Sequence, residues 1–210
     1  MLLEQVTGLA GIRKCVDKEK GLTKDDVENA LKRAQELCAQ IPNSFMLNQF
    51  ANPDNPKAHR ETTAREIIKQ TNGGSFQAFV TACGTGGTFT GVSTVLKEEY
   101  PDIKRFVVEP ASSAVLSGCE PGFHNIQGIG EGFIPEVMDV GLADKIIKVS
   151  DDEAFATARL LWKCEGVLSG VSGGANVNAA LKIGKDMQSG EIIVTIIPDT
   201  GLRYFSTELF

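Results

Sequence analysis

The segment Thr81–Gly91, "TACGTGGTFTG", constrains the fold of this chain more than any other stretch. Its eleven residues hold four glycines and four threonines, set between an apolar run, "FQAFV", and a helix-like run, "VSTVLKEEY". A strand, a glycine turn and a helix in that order let the main chain approach a ligand closely. They also leave N–H groups at a helix start, where the helix dipole favours an anion. Two readings remain: the glycines only permit a tight strand-to-helix turn, or the turn binds a phosphate. A dinucleotide fingerprint needs G-x-G-x-x-G with an acidic residue about 20 positions on. "GTGGTF" lacks the third glycine, although Glu109 ends the next strand at a tempting distance. The G-K-[ST] of a nucleotide-triphosphate loop is absent, so the phosphate expected here is the monoester of a small cofactor.

The flanking pattern sets the fold class. "TKDDVENALKRAQELCAQ" reads as an amphipathic helix over 23–40, with Thr23 as N-cap and Val27, Ala30, Leu31, Ala34, Leu37 and Cys38 on one apolar face. A short extended run, "FMLNQF", and a turn, "ANPDNP", come next. Pro56 then suits the first turn of a helix reaching about Lys69. "FQAFVTA", "KRFVVEP", "KIIKV", the short "VLSG" and "EIIVTIIP" read as strands. Tyr100 closes the helix after the glycine loop, and Ser150 with Glu153 forms a capping box for a helix that Gly166 closes. Residues 111–140 are loop-rich. Strands alternating with helices, several apolar on both faces, imply an α/β fold with a doubly wound, mostly parallel sheet.

Composition removes several function classes. A net charge of −6 over 210 residues, with no basic tract, argues against nucleic acid and against an anionic membrane surface. No apolar stretch approaches about 18 residues and no secretory start is present, so the expected compartment is cytoplasmic. The five cysteines (Cys15, Cys38, Cys83, Cys119, Cys164) are scattered without C-x-x-C spacing. They indicate neither a disulfide framework nor a metal site, and most are expected to be buried apolar residues. His59 and His124 are expected to be hydrogen-bonded structural residues rather than metal ligands.

Six blocks, "LNQFANPDNPKAHRETTAREI", "GTGGTFTGV", "VVEP", "NIQGIGEGFIP", "GVSGGAN" and "IPDTGLRYFST", carry a joint resemblance to the cysteine synthase (O-acetylserine sulfhydrylase) family, from about Ala30 to Phe210. The resemblance implies a pyridoxal 5'-phosphate enzyme of fold type II, the tryptophan-synthase-β-like fold. It implies that Gly84, Thr85, Gly86, Gly87 and Thr88 hold the cofactor phosphate, and that Ser172 meets the pyridine nitrogen. Ser172 has a second reading as a helix N-cap. By the same resemblance Gln49 contacts the substrate carboxylate and Gly128 lines the pocket. The implied reaction is a β-replacement in which acetate leaves O-acetylserine and sulfide adds to give cysteine. A homodimer and serine acetyltransferase are the implied partners. Cystathionine β-synthase chemistry, with homocysteine as second substrate, is the neighbouring alternative. A non-catalytic module that binds phosphate or serine acetyltransferase is the alternative of another class.

The departures from the family are as informative. Family members often carry Ser-Ser-Gly where this chain has Ser172-Gly173-Gly174, and glutamate where it has Leu202. The lysine that bonds the cofactor and the "TSGNT"-type substrate loop are not found, so no catalytic residue is assigned. Residues 1–22 show only weak periodicity. The expectation is a fold incomplete at the N-terminus, with 1–41 a remnant of an N-terminal lobe and 42–210 the cofactor-phosphate domain.

Overall fold

The computed structural model describes residues 24–209. Its main elements are α1 (Lys24–Gln40), α2 (Asp54–Glu61), α3 (Thr63–Gln70), β1 (Ala78–Ala82), α4 (Gly87–Glu99), β2 (Lys104–Pro110), β3 (Lys145–Val149), α5 (Asp151–Leu160), α6 (Val171–Gly184) and β4 (Ile193–Thr195). The strands form one sheet in the order β3-β2-β1-β4, and all three neighbouring pairs are parallel. This is the expected parallel α/β architecture.

Alternation along the strands explains why both faces are covered. Phe79 points to one face and packs with Ala64 and Ile67 of α3 and Val92, Val95 and Leu96 of α4. Its neighbour Val80 points to the other face, with Val108, Ala154 and Ala158 of α5, and Val171, Ala175 and Ala179 of α6. Val107, next to Val108 on β2, returns to the α4 side with Phe89 and Leu142. Successive residues serving opposite layers is the period-2 geometry of a strand buried on both faces.

The capping box at α5 is present: the Ser150 hydroxyl accepts from Glu153 N–H while the Glu153 carboxylate accepts from Ser150 N–H. Gly166, in the left-handed region at φ +69°, closes the π-helical turn Leu161–Glu165 that extends α5. The Thr23 N-cap and the pattern of residues 1–22 lie outside the described residues.

Several sequence expectations are corrected. The single helix expected from Pro56 to Lys69 is two, joined at Thr62, which stays in the right-handed region but is distorted to φ −117°, ψ −73°, and whose hydroxyl donates to the Ala58 carbonyl at 2.7 Å. A hydroxyl that bonds back to the preceding turn competes with helix continuation. "FMLNQF" forms no strand, and Asn48 takes a positive φ of 45° within it. "VLSG" contributes only one antiparallel bridge, Ser169 to Thr200, and the last strand is confined to Ile193–Thr195. Of the four described cysteines only Cys83 is buried, and Cys119 and Cys164 are exposed.

Where α5 and α6 cross, Gly174 allows near contact. A Cβ there would lie 2.2 Å from the Ala154 carbonyl oxygen and 2.8 Å from Ala158 Cβ. A main-chain carbonyl within a helix cannot yield cheaply, so Gly174→Val is expected to destabilise the fold by about 2–3 kcal/mol. Urea unfolding followed by circular dichroism measures this, and an unchanged midpoint would show that the two helices have slack.

Candidate active site

The glycine loop leaves β1 at Ala82 and enters α4 at Gly87. Gly86 is the residue before the helix and lies in the left-handed region, at φ +85°, ψ −8°. A Cβ there would also meet Met138 Cβ at 2.6 Å. Gly84 and Gly87 are dictated by packing instead. A Cβ on Gly84 would fall 2.4 Å from the Gly128 carbonyl oxygen, and one on Gly87 would fall 1.9 Å from Asn55 Oδ1. Tight packing thus accounts for one side of the loop. The other side is the start of a 13-residue helix with no side-chain cap. The main-chain N–H groups of Thr85, Gly86 and Thr88 make no hydrogen bond to another described residue. Unpaired donors at a helix start, with the positive end of the dipole behind them, form a cradle for an anion.

Around this loop the structure gathers segments distant in sequence. Gly130 N–H donates to the Cys83 carbonyl at 3.0 Å, which seats the loop carrying Gly128 (φ +88°) directly on Gly84. Asn55, on α2, donates from Nδ2 to the Gln49 carbonyl at 2.8 Å and to Thr85 Oγ1 at 2.9 Å. Gln49 therefore reaches the site through its main chain, and its side chain is exposed. The hydroxyl of Thr88 is engaged with His59 Nε2 at 3.1 Å, whose Nδ1 lies 2.9 Å from Thr63 Oγ1. Burial lowers the His59 pKa and favours the neutral ring, so this histidine is a hydrogen-bonding bridge between α2, α3 and α4.

Ser172 lies at the start of α6, buried, and its hydroxyl makes no hydrogen bond to another described residue. It is not the N-cap, because that position is Gly170. Gly170 and Gly173, either side of it, press on the chain beyond β4: added Cβ atoms would lie 2.0 Å from Asp199 Oδ1 and 3.3 Å from Ile197. Since β4 neighbours β1 in parallel, the chain after β4 and the glycine loop leave the same edge of the sheet. That carboxyl edge is where ligands bind in open α/β sheets.

Acidic groups near the loop play supporting parts. Glu109, only 2% exposed, ends β2 and accepts from Leu116 N–H at 2.8 Å and the Ser117 hydroxyl at 2.5 Å. It holds the long β2–β3 connection, which explains an acidic residue there without a dinucleotide. Burial raises the Glu131 pKa toward its neutral form. His124 meets the Gly130 carbonyl through Nε2 at 2.9 Å. Cys83 borders the loop, but burial first and Glu109 second push its thiol up to about 12. A thiol so far from ionising is a poor nucleophile. Iodoacetamide at pH 8 is expected to label Cys119 and Cys164 and to spare Cys83 until urea is added. Peptide mass spectrometry reads the sites, and rapid native labelling of Cys83 would refute the assignment.

The sequence matches the pyridoxal-phosphate dependent enzyme family over residues 10–199. The chain belongs to that family. The match starts earlier than the resemblance read from sequence, which runs from about Ala30. A cysteine synthase of Staphylococcus aureus is 44% identical over 184 residues, 88% of this chain and 59% of that protein. A probable cysteine synthase of Bacillus subtilis is 47% identical over 183 residues, again covering 59% of its length. O-acetylserine sulfhydrylase isoform 3 from Entamoeba histolytica superposes with a TM-score of 0.82 at 41% identity, over 92% of this chain and 56% of that one. An O-acetylserine dependent cystathionine β-synthase from Helicobacter pylori gives 0.81 at 42% identity, over 88% and 60%. The chain thus spans about 59% of the length of the curated relatives it matches.

The residues present fit the phosphate end of the cofactor. Gly84, Gly86 and Gly87 leave no room for side chains on one flank, and unpaired donors stand at the uncapped head of α4. Among the described residues, no hydrogen bond or ion pair brings a lysine to this loop. No group of three or more His, Cys, Asp or Glu among them forms a metal cluster. Sequence reading missed Asn55 and the pair Asp199–Tyr204. The Tyr204 hydroxyl donates to Asp199 Oδ2 at 2.9 Å, and burial together with that bond pushes the phenol up to about 12. Both lie inside quoted motif blocks, but only the fold shows what they touch.

Proposed function

We propose that this chain supplies the cofactor-phosphate half of a pyridoxal-phosphate dependent enzyme that makes L-cysteine from O-acetyl-L-serine and sulfide. The observation that carries this reading is the glycine loop at the head of α4, on the carboxyl edge of a parallel sheet. Thr85, Gly86 and Thr88 offer main-chain N–H groups and Thr85 its hydroxyl to the phosphate, while Gly84 and Gly87 give the main chain its close approach. Ser172 presents a neutral hydroxyl to the pyridine nitrogen. A hydroxyl does not enforce ring protonation as a carboxylate would, which suits loss of a β-leaving group over transamination. When bound, the cofactor supplies the electron sink for that loss. Gln49 holds the substrate carboxylate from the segment that Asn55 anchors, and Gly128 shapes the pocket floor against Gly84. The similarity to an O-acetylserine dependent cystathionine β-synthase supports a second reading, in which homocysteine replaces sulfide at the same site.

Residues 42–210 form the cofactor domain in this proposal, and 1–41 belong to a neighbouring lobe. In support, α1 makes no extensive contact with another described element, and its apolar positions Val27, Ala30, Leu31, Ala34, Leu37 and Cys38 are only half-buried. The working enzyme is proposed to be a cytoplasmic homodimer able to engage serine acetyltransferase. No described helix is long and apolar enough to cross a membrane. Isothermal calorimetry tests the core of the reading: pyridoxal phosphate and inorganic phosphate should bind and compete for one site. Absence of binding by either ligand would end it.

A further inference from the structure

Asn55 has a place in this site that neither motif nor family match assigns. Its amide bridges two chain segments, the end of the Gln49 run and the glycine loop. The orientation of the amide is settled by chemistry. The Gln49 carbonyl can only accept, so the atom 2.8 Å from it is the nitrogen, and the second N–H of that nitrogen goes to Thr85 Oγ1 at 2.9 Å. Thr85 Oγ1 also accepts from Gly87 N–H at 3.3 Å. A hydroxyl oxygen has two lone pairs and one proton. With both lone pairs taken by N–H donors, the Thr85 hydroxyl keeps only its proton to offer.

We propose that Asn55 is a positioning residue that commits the Thr85 hydroxyl to donating, and so makes the loop selective for an acceptor-only anion such as a phosphate. The proposal rests on the phosphate reading of the glycine loop and adds the residue that sets its polarity. It also explains the tight approach at Gly87. A side chain there would strike Asn55 Oδ1, so the glycine is what lets the amide reach under the helix start. The same amide ties the Gln49 segment to the phosphate loop, so a shift of one is transmitted to the other.

A double-mutant cycle tests this, with affinity for inorganic phosphate and for pyridoxal phosphate as the readouts. Thr85→Val removes the hydroxyl at constant shape, and Asn55→Ala removes the donor that orients it. Each single change is expected to weaken phosphate about tenfold, as loss of one charge-assisted hydrogen bond does. If Asn55 acts through Thr85, the double variant is no weaker than Thr85→Val alone, a non-additivity that a general packing defect does not produce. Asn55→Asp is the polarity control. Its carboxylate accepts the Thr85 proton and turns the hydroxyl away, so it should weaken phosphate more than Asn55→Ala, and that excess should shrink in the Thr85→Val background. Losses that simply add, or an Asn55→Ala protein that binds like the parent, overturn the inference. A parent protein that binds no phosphate overturns the proposed function instead. Circular dichroism on each variant identifies misfolding, and a misfolded Asn55→Ala is replaced by Asn55→Ser, which keeps a small polar group without the second donor.

Discussion

Gly86→Asp is expected to abolish binding of pyridoxal phosphate and inorganic phosphate, lowering affinity by more than about a hundredfold. Three effects act in one direction. Gly86 has φ +85°, so any L side chain there strains the backbone by about 1–2 kcal/mol. Its Cβ would press on Met138 at 2.6 Å, displacing the β2–β3 connection from the loop. The new carboxylate would sit at the head of α4, where it takes the N–H groups for itself and repels an incoming anion. That last effect sets the magnitude: at an effective dielectric near 20, two unit charges about 4 Å apart cost roughly 4 kcal/mol. Gly86→Ala separates strain from charge, because it keeps the first two effects and drops the third. Calorimetry should therefore rank the parent above Gly86→Ala, and Gly86→Asp last. Equal affinity for parent and Gly86→Asp would remove the phosphate from this loop.

The fold was readable where it depends on local rules. β1, β2 and β3 follow apolar runs, Ser150 and Glu153 announce the start of α5, and the glycine loop falls between strand and helix. The errors lie where a hydroxyl or a distant contact decides. Thr62 breaks a helix that spacing alone continues. The run from Glu191 to Pro198 is apolar enough for a long strand, but only Ile193–Thr195 find a partner, on β1. Cys119 and Cys164 look like core residues by type and are exposed by topology. The same division holds at the site. Gly84 and Gly86 can be picked from sequence because glycine is rare without reason in a strand-to-helix turn. Asn55 cannot, because its importance comes from a contact to Thr85 thirty residues away, which only the packing of α2 on α4 creates. The N-cap reading of Ser172 fails by two positions. The cap falls to Gly170, whose N–H binds the Asp199 carbonyl at 3.3 Å, another contact that no short-range pattern encodes.

The second large effect concerns turnover. The purified 210-residue protein is expected to bind pyridoxal phosphate without forming a borohydride-trappable lysine adduct, and to make no cysteine from O-acetylserine and sulfide above a protein-free control. The reason is the placement of the lysines among the described residues. Lys104 and Lys145 begin β2 and β3, at the sheet edge opposite the glycine loop. Lys97 is in the last turn of α4, the far end of the helix whose start is proposed to hold the phosphate. Lys182 is paired with Glu153 at 2.8 Å, and Lys148 lies 3.6 Å from the Cys119 sulfur. Lys57, Lys69, Lys163 and Lys185 are exposed. Covalent attachment of the cofactor and proton removal next to a carboxylate both need an amine held within reach of the bound ring. No hydrogen bond or ion pair among the described residues holds a lysine amine at the glycine loop. Phosphate affinity without turnover would match a cofactor-binding module, the reading of the other class. Borohydride reduction followed by peptide mass spectrometry decides between them. A stoichiometric adduct on one lysine, accompanied by cysteine formation, would show that this chain carries its own base.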